Sequence, residues 1–214
     1  MQIIDNFFPE DKFKELQDLI LGPAMPWYYI PNISVPDWLK VEDPLAVETD
    51  ALQCLLFDRP RNYISEEYGI LEEYFYNMMI KLGYPQENLL RVRAAMKWPK
   101  IGVGAETYNI PHIDSPAAHK TAILYLNDSD GDTRLFHQIQ KPINCTPLCK
   151  DSTEEEKTNY ASNFTRSGFT IKHSIPPKAN RLLIFDGMQY HTAGHPVNSN
   201  RRVILNINIV DTGK

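Results

Sequence analysis

Residues 180–209 read NRLLIFDGMQYHTAGHPVNSNRRVILNINI. An apolar run, Leu182 to Phe185, ends at Asp186-Gly187, a pair that favours tight turns. Tyr190 and His191 follow, and a Pro- and Asn-rich turn leads into a second run, RRVILNINI. Side chains alternate across a strand. In the last run this sets Arg202, Ile204, Asn206 and Asn208 on one face, with Arg201, Val203, Leu205, Ile207 and Ile209 on the other. The mixed face suits an interior that bears a ligand. His191 is placed to start or border a strand facing that same interior.

A second segment supplies partners for that histidine. Residues 107–116, TYNIPHIDSP, carry His112 and Asp114 two positions apart, on one side of an extended chain. One imidazole and one carboxylate can thus reach the same point. With His191 they make two histidines and one carboxylate, the ligand set of non-haem iron(II) sites that keep coordination positions open. Three protein ligands on one face of an octahedron leave room for a bidentate 2-oxo acid and for dioxygen. A closed four-ligand Cys/His site would not. The free end of a 2-oxo diacid needs a forked cationic donor, which guanidinium supplies better than ammonium. Arg201 and Arg202 are both candidates, and the alternation favours Arg202.

Around these segments the chain reads as α+β. Phe13, Leu16, Leu19 and Ile20 recur at helical spacing over residues 10–21, and Gly22-Pro23 ends that helix. Ser65 can cap a second helix that Gly83 stops, with Leu71, Tyr74, Phe75, Met78, Met79 and Leu82 as its apolar stripe. Between the helices, PWYYIPNISVPDW and its surroundings read as irregular, a loop or short strand packed on something larger. From about residue 88, LLRVRAAMKW, TAILYLN, FTIKHSI, RLLIF and RRVILNINIV are short β-rich segments. Helices buttressing an antiparallel sandwich or barrel is the predicted arrangement. No flexible linker separates the helical part (about 1–88) from the barrel part (about 89–214), so residues 1–214 read as one domain. Residues 137–168 are polar and aperiodic, a long insertion between two strands of the kind that serves as a lid or binding loop.

Composition narrows the classes. The 214 residues are 43% hydrophobic and 23% charged, enough for a packed core and against general disorder. A net charge of -5 argues against a protein that coats nucleic acid. No apolar segment reaches membrane-spanning length, and the first residues carry no secretory pattern. Three cysteines, Cys54, Cys145 and Cys149, suit a reducing compartment, so a cytoplasmic location is expected.

With these residues in view, the sequence resembles the 2-oxoglutarate/Fe(II)-dependent oxygenases, in their prolyl 4-hydroxylase-like branch. The matching residues are PHID (His112, Asp114), YLN (Tyr125 to Asn127), GDT (Gly131 to Thr133), LLIFDG, His191 and the RRV strand start, over residues of about 90 to 214. The resemblance implies a double-stranded β-helix (jelly roll, cupin-like). It implies Fe(II) held by His112, Asp114 and His191, and 2-oxoglutarate anchored by Arg202 and Tyr125, with Tyr108 lining the pocket. It implies dioxygen as the oxidant and decarboxylation of 2-oxoglutarate to succinate coupled to hydroxylation of a substrate C–H bond. The substrate expected from it is a prolyl or other peptidyl residue, with a small molecule or a nucleobase left open. The chain departs from the pattern at Gly131-Asp132, where most members have Gly-Gly, and in a longer spacing from His191 to the arginine. Two rival readings keep the fold but not the reaction: a non-oxygenase cupin-like metalloprotein, and a silent binding module.

Other residues read as structural. Gly194 and Pro196 forbid a helix pairing His191 with His195, so His195 is a loop residue. His119 reads as a solvated turn residue that could border a substrate entrance; His137 and His173 belong to strands or the insertion. Cys145 and Cys149 lack the second pair a zinc site needs. Asp186 orders its turn. Arg91 and Arg93 share a strand face, read as solvated or salt-bridged ahead of an anion-contacting role. Trp27, Tyr28, Tyr29 and Trp38 read as a seal on the outside of a barrel ahead of a substrate wall.

Overall fold

The computed structural model of the chain describes residues 1–31, 45–47, 49–139 and 169–211. In chain order the elements are β1 (Gln2–Ile4), α1 (Glu10–Leu21), β2 (Tyr28–Ile30), β3 (Ala51–Asp58), β4 (Tyr63–Ile64), α2 (Glu66–Leu82), β5 (Leu89–Lys97) and β6 (His119–Tyr125). They continue with β7 (Thr133–Ile139), β8 (Ile171–Ile175), β9 (Leu182–Asp186), β10 (Gln189–Ala193) and β11 (Arg202–Val210).

Both predicted helices form, and α2 is bounded by the capping residues read from the sequence. Ser65 accepts the Tyr68 N–H at 3.2 Å, and Glu66 and Glu67 complement the positive end of the α2 dipole. Gly83 ends the helix in the left-handed region (φ 76°), which a residue with a Cβ enters only at a cost. Tyr68, Leu71, Phe75, Met78 and Met79 form the buried stripe of α2, and Phe13, Leu16 and Ile20 that of α1.

All strand pairings between the named strands are antiparallel, in two sheets. The larger runs β1-β9-β6-β11-β5-β3-β2, with β4 beside β3; the smaller runs β10-β7-β8. Residues 107–113 extend the small sheet through isolated bridges from Tyr108 to Gly194 and from His112 to His191. From β5 onward the chain therefore passes from the large sheet to the small and back again, which is a double-stranded β-helix. The two helices cover the outer face of the large sheet. Their apolar stripes join Val203, Leu205, Ile207, Ile209, Ala122, Leu124 and Ile184 in one core. A second cluster lies between the sheets: Ile123, Tyr125, Leu135, Ile175, Leu183, Phe185 and Ile204. No helix among the described residues is long and apolar enough to cross a membrane.

Two stretches differ from the sequence reading. The region between the helices is not merely irregular, because ALQCLLFD forms β3, a full member of the large sheet between β5 and β2. Its apolar residues fall on both faces and its register slips between Leu55 and Phe57, so it shows no clean period of two. The HIDS segment makes single bridges rather than a regular strand. Tyr28 and Tyr29 are exposed, whereas Trp27 packs against the helical core. Trp38, Cys145, Cys149 and all but the first residues of the 137–168 insertion lie outside the described residues.

Leu205 sits at the middle of β11 with no exposed surface. Leu205→Ala removes packing that the helices and sheet share, and should cost about 2–5 kcal/mol. Urea unfolding followed by circular dichroism checks this through the shift in midpoint at unchanged slope.

Candidate metal centre

The backbone brings the distant segments together first. His112 N–H donates to the His191 carbonyl and His191 N–H donates to that of His112, both at 3.0 Å. Residues paired in this way project to the same side of a sheet. The two rings stand 4.8 Å apart between centroids, and Asp114 completes a group whose potential ligand atoms all lie within 4.8 Å of one another. His191 Nε2 is 3.4 Å from Asp114 Oδ2.

The imidazoles are oriented by their other nitrogens. His112 Nδ1 lies 3.0 Å from the Ile110 carbonyl and His191 Nδ1 lies 3.2 Å from that of Gln189. A carbonyl can only accept, so each Nδ1 donates there, and each Nε2 is turned toward the cluster. His191 Nε2 is buried without a hydrogen-bond partner. Burial, followed by the neighbouring His191, lowers the pKa of His112 to about 4, so its ring is neutral at pH 7. The Phe185 ring meets His191 edge-on at 4.9 Å and closes that side of the site against water.

Asp114 is the most heavily engaged group in the barrel. Its carboxylate accepts from Asn206 Nδ2 at 3.1 Å, Asn208 Nδ2 at 3.0 Å and Thr121 Oγ1 at 3.3 Å. Arg91 and Arg93 approach Oδ1 at 3.3 and 3.5 Å. Burial alone would raise its pKa. The contact with His191 and the charges of Arg91 and Arg93 outweigh that and hold it well below the usual carboxylate range. The alternation read from the sequence thus placed Asn206 and Asn208 on the correct face but gave them no work. Two asparagines in an otherwise apolar strand were the available signal, since buried amides need partners.

Arg202, Tyr125 and Thr133 form a second cluster between the sheets. Arg202 is buried, donating from Nε to the Gly131 carbonyl and from Nη2 to Thr133 Oγ1, both at 2.8 Å. Tyr125 donates to the same Thr133 oxygen at 2.7 Å. Gly131 lets the chain pass this close, because a Cβ there would lie 2.9 Å from the Pro196 nitrogen and 3.1 Å from Arg202 Cδ. Burial raises the Tyr125 pKa, so its phenol stays a neutral donor. Lys97 is buried and pairs in register with Arg202. Arg201 is exposed, as the alternation implied.

Tyr108 does not join either group. It pairs with Gly194, one residue out of step with the His112–His191 pair. Its ring packs with Phe136 and Tyr190, under the Arg134 guanidinium, in a separate cluster. The pocket-lining position that the resemblance implied for it is not where its ring lies. His119 is also not a solvated turn residue: it starts β6, fully buried, with Nδ1 2.7 Å from the Ala117 carbonyl. Its position inside the antiparallel pairing of β6 and β11 accounts for the burial. His195 is a buried loop residue outside the metal-capable group, and His137 and His173 are exposed on β7 and β8. Asp186 accepts the Met188 N–H at 3.1 Å and so orders its turn.

No family model matches the sequence, and no curated protein is similar to it by sequence. Solved structures show the fold. An oxidoreductase of the 2OG-Fe(II) oxygenase family from Burkholderia pseudomallei aligns at TM-score 0.56 and 11% identity, over 96% of this chain and 83% of its own. HygX from Streptomyces hygroscopicus, with nickel and 2-oxoglutarate bound, aligns at TM-score 0.53 and 12% identity, over 99% of this chain and 82% of its own. A prolyl-4-hydroxylase from Pseudomonas putida aligns at TM-score 0.50 and 14% identity, over 98% of this chain and 92% of its own. The chain has the fold of the 2-oxoglutarate/Fe(II) oxygenases, as its motifs implied. At these identities the likeness is one of architecture.

Thr133→Val tests the second cluster. It keeps the shape but leaves the Tyr125 hydroxyl and one Arg202 donor without their shared acceptor. A loss of about 1–3 kcal/mol is expected, measurable as a lowered denaturation midpoint. A midpoint equal to wild type would show that the two donors find other partners.

Proposed function

We propose that the chain is an Fe(II)- and 2-oxoglutarate-dependent dioxygenase that hydroxylates a substrate C–H bond. The observation that carries the reading is the convergence of His112, Asp114 and His191, with His191 Nε2 buried and without a hydrogen-bond partner among the described residues. Two imidazoles and one ionised carboxylate are the donor set for iron(II) with open positions. The residues fit the metal.

When bound, Fe(II) supplies the chemistry that couples decarboxylation of 2-oxoglutarate, with dioxygen, to C–H hydroxylation, yielding succinate. The chain's own residues bind and orient. His112, Asp114 and His191 would hold the ion. Thr121, Asn206 and Asn208 hold the Asp114 carboxylate in one orientation. Arg202, its guanidinium steered by Gly131 and Thr133, would bind the far carboxylate of the co-substrate, with the Tyr125 hydroxyl beside it as a second donor. Phe185 and the apolar residues between the sheets exclude water. The primary substrate is a prolyl or other peptidyl residue, or a small molecule. The YLN and PHID motifs support the first, as does the shared fold of a prolyl-4-hydroxylase.

Anaerobic addition of Fe(II) and 2-oxoglutarate should produce the weak visible charge-transfer band of the chelate. His191→Ala should abolish it, and Arg202→Gln should weaken 2-oxoglutarate binding about 10- to 100-fold, the worth of a charge-assisted pair. A wild-type protein that shows no band would overturn the reading. Metal binding without 2-oxoglutarate-dependent succinate release would identify a non-oxygenase metalloprotein instead.

A further inference from the structure

Two cations face the barrel interior beside the proposed metal ligands, and only their charge on Asp114 has a role in the reaction outlined above. Arg91 and Arg93 lie two apart on β5. Their register partners on β11 are Asn208 and Asn206, the residues that hold Asp114. Arg91 is committed: Nε donates to Asn208 Oδ1 and Nη2 to the Asp114 carbonyl, both at 3.0 Å. Arg93 is not. Among the described residues its side chain makes one long contact, a 3.5 Å approach of Nη2 to Asp114 Oδ1, and its buried Nε has no hydrogen-bond partner.

The local charges do not balance. Two guanidinium groups meet one carboxylate, and that carboxylate is itself shared with His191. A divalent ion on the triad would add two further positive charges. A buried guanidinium with an unsatisfied donor edge costs stability unless an anion completes it. The side chains of both arginines keep 21% of their surface exposed, so the position is reachable from solvent. The forked Nε/Nη edge matches a carboxylate.

We propose that Arg93, steadied by Arg91, is a second anion-binding position at the metal end of the barrel, separate from Arg202, that receives a carboxylate group. The carboxylate has two sources: the primary substrate, or the 2-oxo end of the co-substrate. Only the naming of these sources rests on the oxygenase reading; the binding position itself does not.

The test begins with metal-free protein. Acetate is titrated at constant ionic strength while the arginine Nε–Hε signals are followed by NMR. The Arg93 signal should shift saturably in wild type and in Arg202→Gln. Acetate affinity should fall at least tenfold in Arg93→Gln, and less in Arg93→Lys, which keeps the charge but loses the fork. If Arg93→Gln does not fold, Arg93→Lys decides: affinity equal to wild type overturns the proposal. So does the absence of any saturable shift in wild type. The second arm uses Mn(II)-loaded protein with pyruvate, a 2-oxo acid with no far carboxylate. Weaker pyruvate binding in Arg93→Lys assigns the position to the co-substrate; unchanged pyruvate binding assigns it to the substrate. Failure to bind Mn(II) would sink the metal reading and leave the acetate result standing.

Discussion

Two backbone hydrogen bonds carry the site. The reciprocal pair between His112 and His191 joins residues 79 positions apart in sequence, and everything functional is arranged around it. The pair turns both rings to one side and leaves each Nδ1 near a carbonyl two residues back. The orientation of each ring is thereby set by main chain, not by a mobile side chain. A bridge of one residue is weak alone. It persists because β10 is held along its other edge by β7, with His191 opposite Leu135, and because Leu135 belongs to the cluster between the sheets.

The charges around Asp114 follow from the same geometry. An acid buried so completely would protonate unless donors and cations favoured its ionised form. Here three neutral donors and two arginines do so. The donors come from β6 and β11 and the cations from β5, three adjacent strands of the large sheet. The carboxylate therefore hangs from the small-sheet side and is gripped by the large-sheet side. Ionisation of Asp114 and closure of the barrel are one event: separating the sheets would expose the acid and strand both arginines.

Much of this was legible in the residues. Both helices carried their caps, Ser65 and Gly83 for α2 and Gly22 after α1, and local signals of that kind do not depend on the rest of the fold. The faces of β11 could be read because its period of two is uninterrupted from Arg202 to Ile209. β3 could not be read, since a strand buried on both faces and slipped in register shows no alternation. Tyr108 was misplaced for a related reason. The one-residue shift between the Tyr108–Gly194 and His112–His191 bridges sends its ring to the opposite side, and nothing local announces such a shift. The partners of Asp114 were invisible for another reason: they lie on strands that meet only when the sheet is assembled. Sequence showed that Arg91 and Arg93 share a face, but which face was a property of the sheet.

The large sheet also explains how the two ends of the site keep their spacing. Asn206 and Asn208 at one end and Arg202 at the other belong to a single strand, β11, and the rise from Arg202 to Asn206 is about 13 Å. A slip of one residue would exchange the faces of that strand and remove all three side chains from the interior. What forbids the slip is the opposite face: Val203, Leu205, Ile207 and Ile209 are buried against the helices. A slip would drive Arg202, Asn206 and Asn208 into that apolar layer. The packing of α1 and α2 on the outside of the sheet thus sets the distance between the acid's cradle and the buried arginine inside it, though neither helix contributes a residue to the metal-capable group or to the Arg202 cluster.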